Sequence, residues 1–126
     1  MRIPIHTRYP DYDTKGHVNN AVYLTYFEMA RAAAWLDRLR GDADFPFVIA
    51  EASIRYVSEA MIGDPLEIEI ATTEVRNSAW VWSYRIISPR GERLVAEGRT
   101  VQVMFDYVAR KPAPIPEDLK ERLWTV

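Results

Sequence analysis

A chain of 126 residues, 48% hydrophobic and 27% charged, has the balance of one ordinary globular domain and is long enough to bury roughly two thirds of its unfolded surface. Its formal net charge of −2 argues against a general affinity for nucleic acid or anionic membrane, so any phosphate-bearing ligand has to be held locally. With no cysteine, disulfides, thiolate metal sites and cysteine nucleophiles are all excluded.

In chain order, Met1-Arg2-Ile3-Pro4-Ile5-His6-Thr7-Arg8 lacks the apolar run of a signal peptide, and no stretch approaches a membrane span, so the default expectation is a cytoplasmic protein without a membrane partner. No internal repeat, low-complexity tract or linker divides residues 1–126. Residues 2–9 read as a short strand that ends at Tyr9-Pro10 and runs into a loop. From Asp11 to Asn20 the loop packs polar and turn-forming residues directly ahead of a long apolar helix pattern.

That pattern predicts a helix from Asn20 to about Arg40, with Asn19 or Asn20 as N-cap, Arg38 and Arg40 in the last turn and Gly41 at C′. Val22, Tyr26, Phe27, Met29, Ala30, Ala33, Ala34 and Leu36 spread over more than one face, and the Ala-rich half lets another backbone approach, so the helix is expected inside a wrapping sheet. Four strand-like runs follow near 47–57, 65–76, 79–88 and 93–106, and their short connections imply antiparallel pairing. Alternation is plain in Leu66-Glu67-Ile68-Glu69-Ile70 and in Trp80-Val81-Trp82-Ser83-Tyr84. The stripe of Trp80, Trp82 and Tyr84 is read as packing on the core helix or between subunits, with contact to a ligand as the alternative. Gly98 marks a bulge or a close approach to the helix. Pro112, Pro114 and Pro116 extend the tail until a short closing helix over Glu117–Trp124. One helix and about five strands make an α+β domain.

The chemistry concentrates in the loop. An acid beside a helix N-terminus meets free backbone N–H groups and the positive end of the helix dipole, which together stabilise charge developing on a carbonyl oxygen. Asp13 lies seven residues before Asn20, close enough for a tight loop to turn its carboxylate back. By residues alone, Asp13 reads first as stabilising the turn or the helix dipole, as loop aspartates usually do, and Asp11 reads as a turn former or a solvated charge. Gly16 is read chiefly as a turn residue with positive φ, and otherwise as a close approach to a ligand. His17 could orient a carbonyl, a water or Asp13, or bond only to the loop backbone. Tyr23 and Glu28 read most simply as core packing, with Glu28 pairing with Arg31 as the alternative. Two histidines eleven apart give no metal-site spacing, and no Gly-x-Ser-x-Gly elbow, phosphate-binding loop or dinucleotide fingerprint is present. No metal or cofactor is expected.

As a longer pattern, Asp13-x-x-Gly16-His17-Val18-Asn19-Asn20-x-x-Tyr23-Leu24-x-x-x-Glu28-x-x-Arg31 resembles the signature of hotdog-fold acyl-CoA thioesterases of the 4-hydroxybenzoyl-CoA thioesterase-like family. The resemblance covers nearly the whole chain, including the Lys111-to-Pro116 ending. It implies a curved antiparallel sheet wrapped around one long central helix, and hydrolysis of an acyl-CoA, or of an acyl-carrier-protein thioester, to acid and thiol. It further implies Asp13 as nucleophile or general base, His17 as a catalytic neighbour, and the backbone N–H of Asn20 as the group that polarises the thioester carbonyl. Gly16, Asn19 and Tyr23 would line the substrate site, and Arg76 and Lys111 would meet the phosphates of coenzyme A. The resemblance also implies a homodimer or dimer of dimers with the site at the subunit interface, where Glu51 and Ser53 could approach the partner's Asp13. A hotdog hydratase or dehydratase, and a non-catalytic acyl-binding module, are the alternatives.

Overall fold

Alternation along the strands decides which side of the sheet meets the helix. The computed structural model describes all residues 1–126. Strands β1 (Arg2–Ile5), β2 (Phe47–Tyr56), β3 (Leu66–Val75), β4 (Ala79–Ser88) and β5 (Arg93–Asp106) form one antiparallel sheet in the order β1-β3-β4-β5-β2, and β6 (Lys111–Pro112) folds back on the end of β5. The sheet curls around helix α1 (Val22–Ala33), and α2 (Glu117–Leu123) closes one end. No helix is long and apolar enough to cross a bilayer.

Trp80, Trp82, Tyr84 and Ile86 all point to the concave side and are buried. Tyr84 stacks on Phe27 of α1 at 4.3 Å between ring centroids, and Trp80 stacks on Trp35 at 6.3 Å, so the aromatic stripe is core. Gly98 lies directly beneath Phe27, where a Cβ would run into the Phe27 ring and the Ser53 carbonyl; the glycine is a close approach to the helix. On the convex side Arg2, Glu69, Arg85, Glu97 and Arg55 stand opposite one another across five strands with alternating sign. Cross-strand pairs of this kind suit a face turned to water.

Several expectations shift. β1 stops at Ile5, and Tyr9–Asp11 is a single 3₁₀ turn. The helix starts at Val22: Asn19 Oδ1 accepts the Ala21 N–H at 3.1 Å and the Asn19 carbonyl accepts Val22 N–H at 3.0 Å, so Asn19 acts as a cap just ahead of the first turn. At the other end the helix widens into a π-turn over Ala34–Arg38, with Leu39 N–H on the Ala34 carbonyl. The left-handed residue that ends it is Arg40, with φ of 56°, rather than Gly41; Gly41 is needed because the Trp35 ring lies where its Cβ would stand. Nor is α1 wrapped on all sides. Leu24, Thr25, Glu28 and Met29 are exposed, which corrects the core reading of Glu28 and of Met29. A single five-stranded layer has only one concave face, so it covers only the side of the helix turned towards it.

Strand β2 forms one edge of the sheet. It pairs only with β5, and most of its residues are exposed.

Candidate active site

The loop between the 3₁₀ turn and α1 is held by its own backbone. Asp13 N–H donates to the His17 carbonyl at 2.8 Å, and Gly16 N–H donates to the Asp13 carbonyl at 3.1 Å. Gly16 takes φ of 77°, as the turn reading required. The Asp13 Oδ1 atom accepts the N–H groups of Lys15 at 2.8 Å and His17 at 3.0 Å, so one oxygen is committed to the turn. Oδ2 accepts no hydrogen bond. The His17 and Lys15 N–H groups favour the charged form and hold the Asp13 carboxyl below its ordinary value.

A second set of bonds ties this loop to the segment between β2 and β3. Val18 N–H donates to the Ala60 carbonyl and Ile62 N–H to the Gly16 carbonyl, each at 2.8 Å. Arg93 steadies that segment through Ser58 Oγ at 2.7 Å and the Glu59 carbonyl at 2.6 Å. Between the two segments lies an open cleft of about 540 Å³, whose wall includes Asp13, His17, Asn19, Asn20, Tyr23 and Tyr56. Asn19 N–H is taken by the Asp11 carbonyl at 2.8 Å, but the next amide, that of Asn20, has no acceptor in the chain. An unpaired N–H at the start of a helix is an electrophilic site for an oxyanion.

Tyr23 is the buried part of this wall, edge-on to Tyr56 at 5.5 Å. Burial pushes its phenol up, opposed by the Ala60 N–H. His17 Nε2 stands 3.5 Å from Glu59 Oε2 at the rim. The Tyr56 hydroxyl donates to the Asn20 carbonyl at 2.9 Å. Sequence reasoning misses Tyr56 and Glu59, since nothing in their spacing marks the end of β2 as a cleft wall.

The loop reading of Asp11 holds only in part. It does belong to a turn, but its side chain is buried against α1 and bonded by Tyr26, fifteen residues away. No local sequence signal announces a partner at that distance.

Arg76 and Lys111 do not join the cleft within one chain. Arg76 follows the end of β3 and forks onto Glu74 at 2.7 and 3.0 Å, while Lys111 sits beside Asp106 in the strand register, exposed and in no ion pair. The Ile115 N–H on the Asn77 carbonyl brings the tail past the same turn. Both cations therefore share one end of the sheet, and the cleft lies at the other, separated by the ten residues of β3, a strand of about 33 Å.

A family model described as the thioesterase-like superfamily matches residues 7–123. The chain is 26% identical to the acyl-CoA thioester hydrolase YbgC of Escherichia coli O6:H1, over 94% of this chain and 92% of that protein. It is 29% identical to the long-chain acyl-CoA thioesterase FadM of Escherichia coli K12, over 98% and 96%. Among solved structures it is similar to a thioesterase from Thermus thermophilus complexed with coenzyme A and Zn, at 30% identity and a TM-score of 0.85, covering 97% of this chain and 90% of that one.

Proposed function

The chain belongs to the thioesterase-like superfamily and is an acyl-CoA thioester hydrolase, and from that premise we propose that Asp13 and the Asn20 amide carry the reaction. The observation that supports this most directly is a carboxylate with one unbonded oxygen and a helix N-terminal N–H without an acceptor in the wall of the same cleft. The thioester carbonyl oxygen is received by Asn20 N–H, with the helix dipole behind it. Asp13 Oδ2 attacks the carbonyl carbon, the C–S bond breaks, and a mixed anhydride and coenzyme A thiolate result. Water then cleaves the anhydride and restores the Asp13 carboxylate; of the two protons it yields, one goes to the thiolate and the other is released with the acid. His17, whose Nε2 stands 3.5 Å from Glu59 at the rim, orients the water.

General-base activation of water is the second reading, favoured by the open cleft that admits water beside Asp13. A single turnover in ¹⁸O-labelled water separates the two. Label on Asp13 after the first turnover, from water attacking the aspartyl carbonyl of the anhydride, establishes direct attack; label in the acid with none on Asp13, and no acyl-Asp13 trapped by hydroxylamine, establishes the general base.

The same reading needs a second copy of the chain. Pairing of two β2 edges antiparallel about their midpoints sets Tyr56 of one copy near Phe47 of the other, so the Asp13 cleft meets the hollow of about 300 Å³ between the partner's α1 and β2. The acyl group enters that hollow along Phe45, Phe47 and Ile49, which share its wall with Glu28 and Arg31, and Arg76 and Lys111 of the partner meet the nucleotide phosphates. Thiol release from a panel of short, long and aromatic acyl-CoAs, compared between wild type and Asp13→Asn in matched oligomers, tests the assignment. The variant is expected to lose at least about a hundredfold in turnover. Equal turnover would remove Asp13 from the mechanism, and coenzyme A binding without turnover by either protein would indicate a binding module.

A further inference from the structure

Asp11 is only 1% exposed, although a loop carboxylate ordinarily stays in water. Its Oδ2 accepts the Tyr26 hydroxyl at 2.9 Å and the Arg8 backbone N–H at 2.9 Å, and its Oδ1 accepts Arg8 Nη2 at 3.0 Å. Burial pushes this carboxyl up, but the Arg8 backbone, the Tyr26 hydroxyl and the Arg8 guanidinium together hold it below its ordinary value. Tyr26 is also 1% exposed; burial, and then the Asp11 carboxylate, push its phenol far up, so its hydroxyl remains a donor.

A charge that is costly to desolvate is explained by what it fixes. The backbone carbonyl of Asp11 accepts Asn19 N–H at 2.8 Å, and the following amide is the unpaired one of Asn20. Other contacts hold other atoms of this turn: Asn19 Oδ1 takes Ala21 N–H, and Tyr56 takes the Asn20 carbonyl. Only Asp11 holds the Asn19 N–H, and only Tyr26 ties the Asp11 side chain to the helix whose N-terminus is being presented.

We infer that the Asp11–Tyr26 bond positions the Asn19–Asn20 amides for the reaction: Tyr26 fixes Asp11 to α1, Asp11 fixes Asn19, and the Asn20 N–H is thereby aimed at the carbonyl oxygen of the bound thioester. Neither side chain lines the cleft, so both are positioning residues. The inference rests on the role given to Asn20 above. It predicts a defect in the chemical step without a defect in binding.

Tyr26→Phe keeps the ring and removes only the bond. Its kcat is expected to fall about tenfold or more with KM within about twofold of wild type. The Asn19 amide should exchange its hydrogen about tenfold faster by NMR, since its acceptor is loosened. Ile68→Val, a buried change in β3 away from the cleft, serves as the control for lost stability and should keep wild-type kcat. Asp11→Asn, which puts an amide nitrogen against donors, should reproduce the defect and serves if Tyr26→Phe does not fold. A kcat for these variants at the level of the control overturns the inference. If Asp13→Asn turned over like wild type, the reading of the site itself would fall; Asn19 exchange needs no turnover and would still decide whether the Asp11–Tyr26 bond holds the turn, with unchanged exchange overturning it.

Discussion

Two aspartates two residues apart have opposite surroundings and should answer pH differently. Asp13 is exposed, with its charge favoured by the His17 and Lys15 N–H groups, so it remains ionised well into acid. Accordingly Asp13 should add no acid limb to kcat/KM between neutrality and about pH 5, and a limb in that range that persists in His17→Ala would remove Asp13 as the reacting group. Asp11 is buried, and its folded-state value lies below the ordinary 3.8. A depressed folded value contributes stability that is present above the unfolded value and lost as pH falls through the folded one. Thermal unfolding of Asp11→Asn should therefore lie below wild type by about 2 kcal/mol at neutral pH, with the gap closing below pH 3.8. A gap independent of pH would mean that the charge of Asp11 contributes nothing. The acid pair shows how far a motif carries. The turn around Asp13 follows from Gly16 and the Asn19-Asn20 pair, whereas the burial of Asp11 depends on Tyr26 arriving from the second turn of a helix.

At the scale of elements, β3 and β4 are legible by their alternation and β2 and β5 by the turn residues that bound them, and β2 to β5 begin and end within one residue of where those turn residues put them. The helix is legible in position but not in its ending. Gly41 has the look of a left-handed terminator, yet its lack of a side chain serves the Trp35 ring, while Arg40 takes the strained φ. Two-residue β6 has too little pattern to be read at all. Gly98 stands out by its place in a long strand, and its contact with Phe27 makes a sharp prediction. Gly98→Ala should cost about 2 kcal/mol or more by denaturant unfolding, since either α1 or β2 has to move. A neutral change would mean that the helix has slack over the sheet. The row from Arg2 to Arg55 behaves otherwise: these ions are partly to largely exposed, and removing one should change stability by less than about 1 kcal/mol.

For the whole molecule, the proposed division between a reacting end and a cationic end predicts what governs affinity. Arg76→Ala and Lys111→Ala should raise KM for an acyl-CoA about fivefold each with little change in kcat, and should have no effect on an acyl-pantetheine thioester, which lacks the nucleotide. An equal effect on both substrates would place these cations outside the phosphate contacts. Ala52→Lys puts a long charged side chain in the middle of the open edge and should leave a monomer by sedimentation, with kcat/KM reduced about tenfold or more. A fully active monomer would show that one chain suffices. The sequence could not place the two ends relative to each other, because nothing in it brings the Asp13 loop against the segment between β2 and β3, a contact made by Val18 with Ala60 and by Ile62 with Gly16.

On the proposed pairing, a cleft at one end of β3 and cations at the other would also give the enzyme a memory of its own concentration. If the two ends meet only across copies, dilution below the dissociation constant of the pair converts active enzyme into halves that each carry an incomplete site. Specific activity would then fall with enzyme concentration rather than stay constant. Saturating substrate, by bridging the halves, would move that fall to lower concentration, so progress curves begun from dilute enzyme would start with a lag and accelerate as pairs re-form.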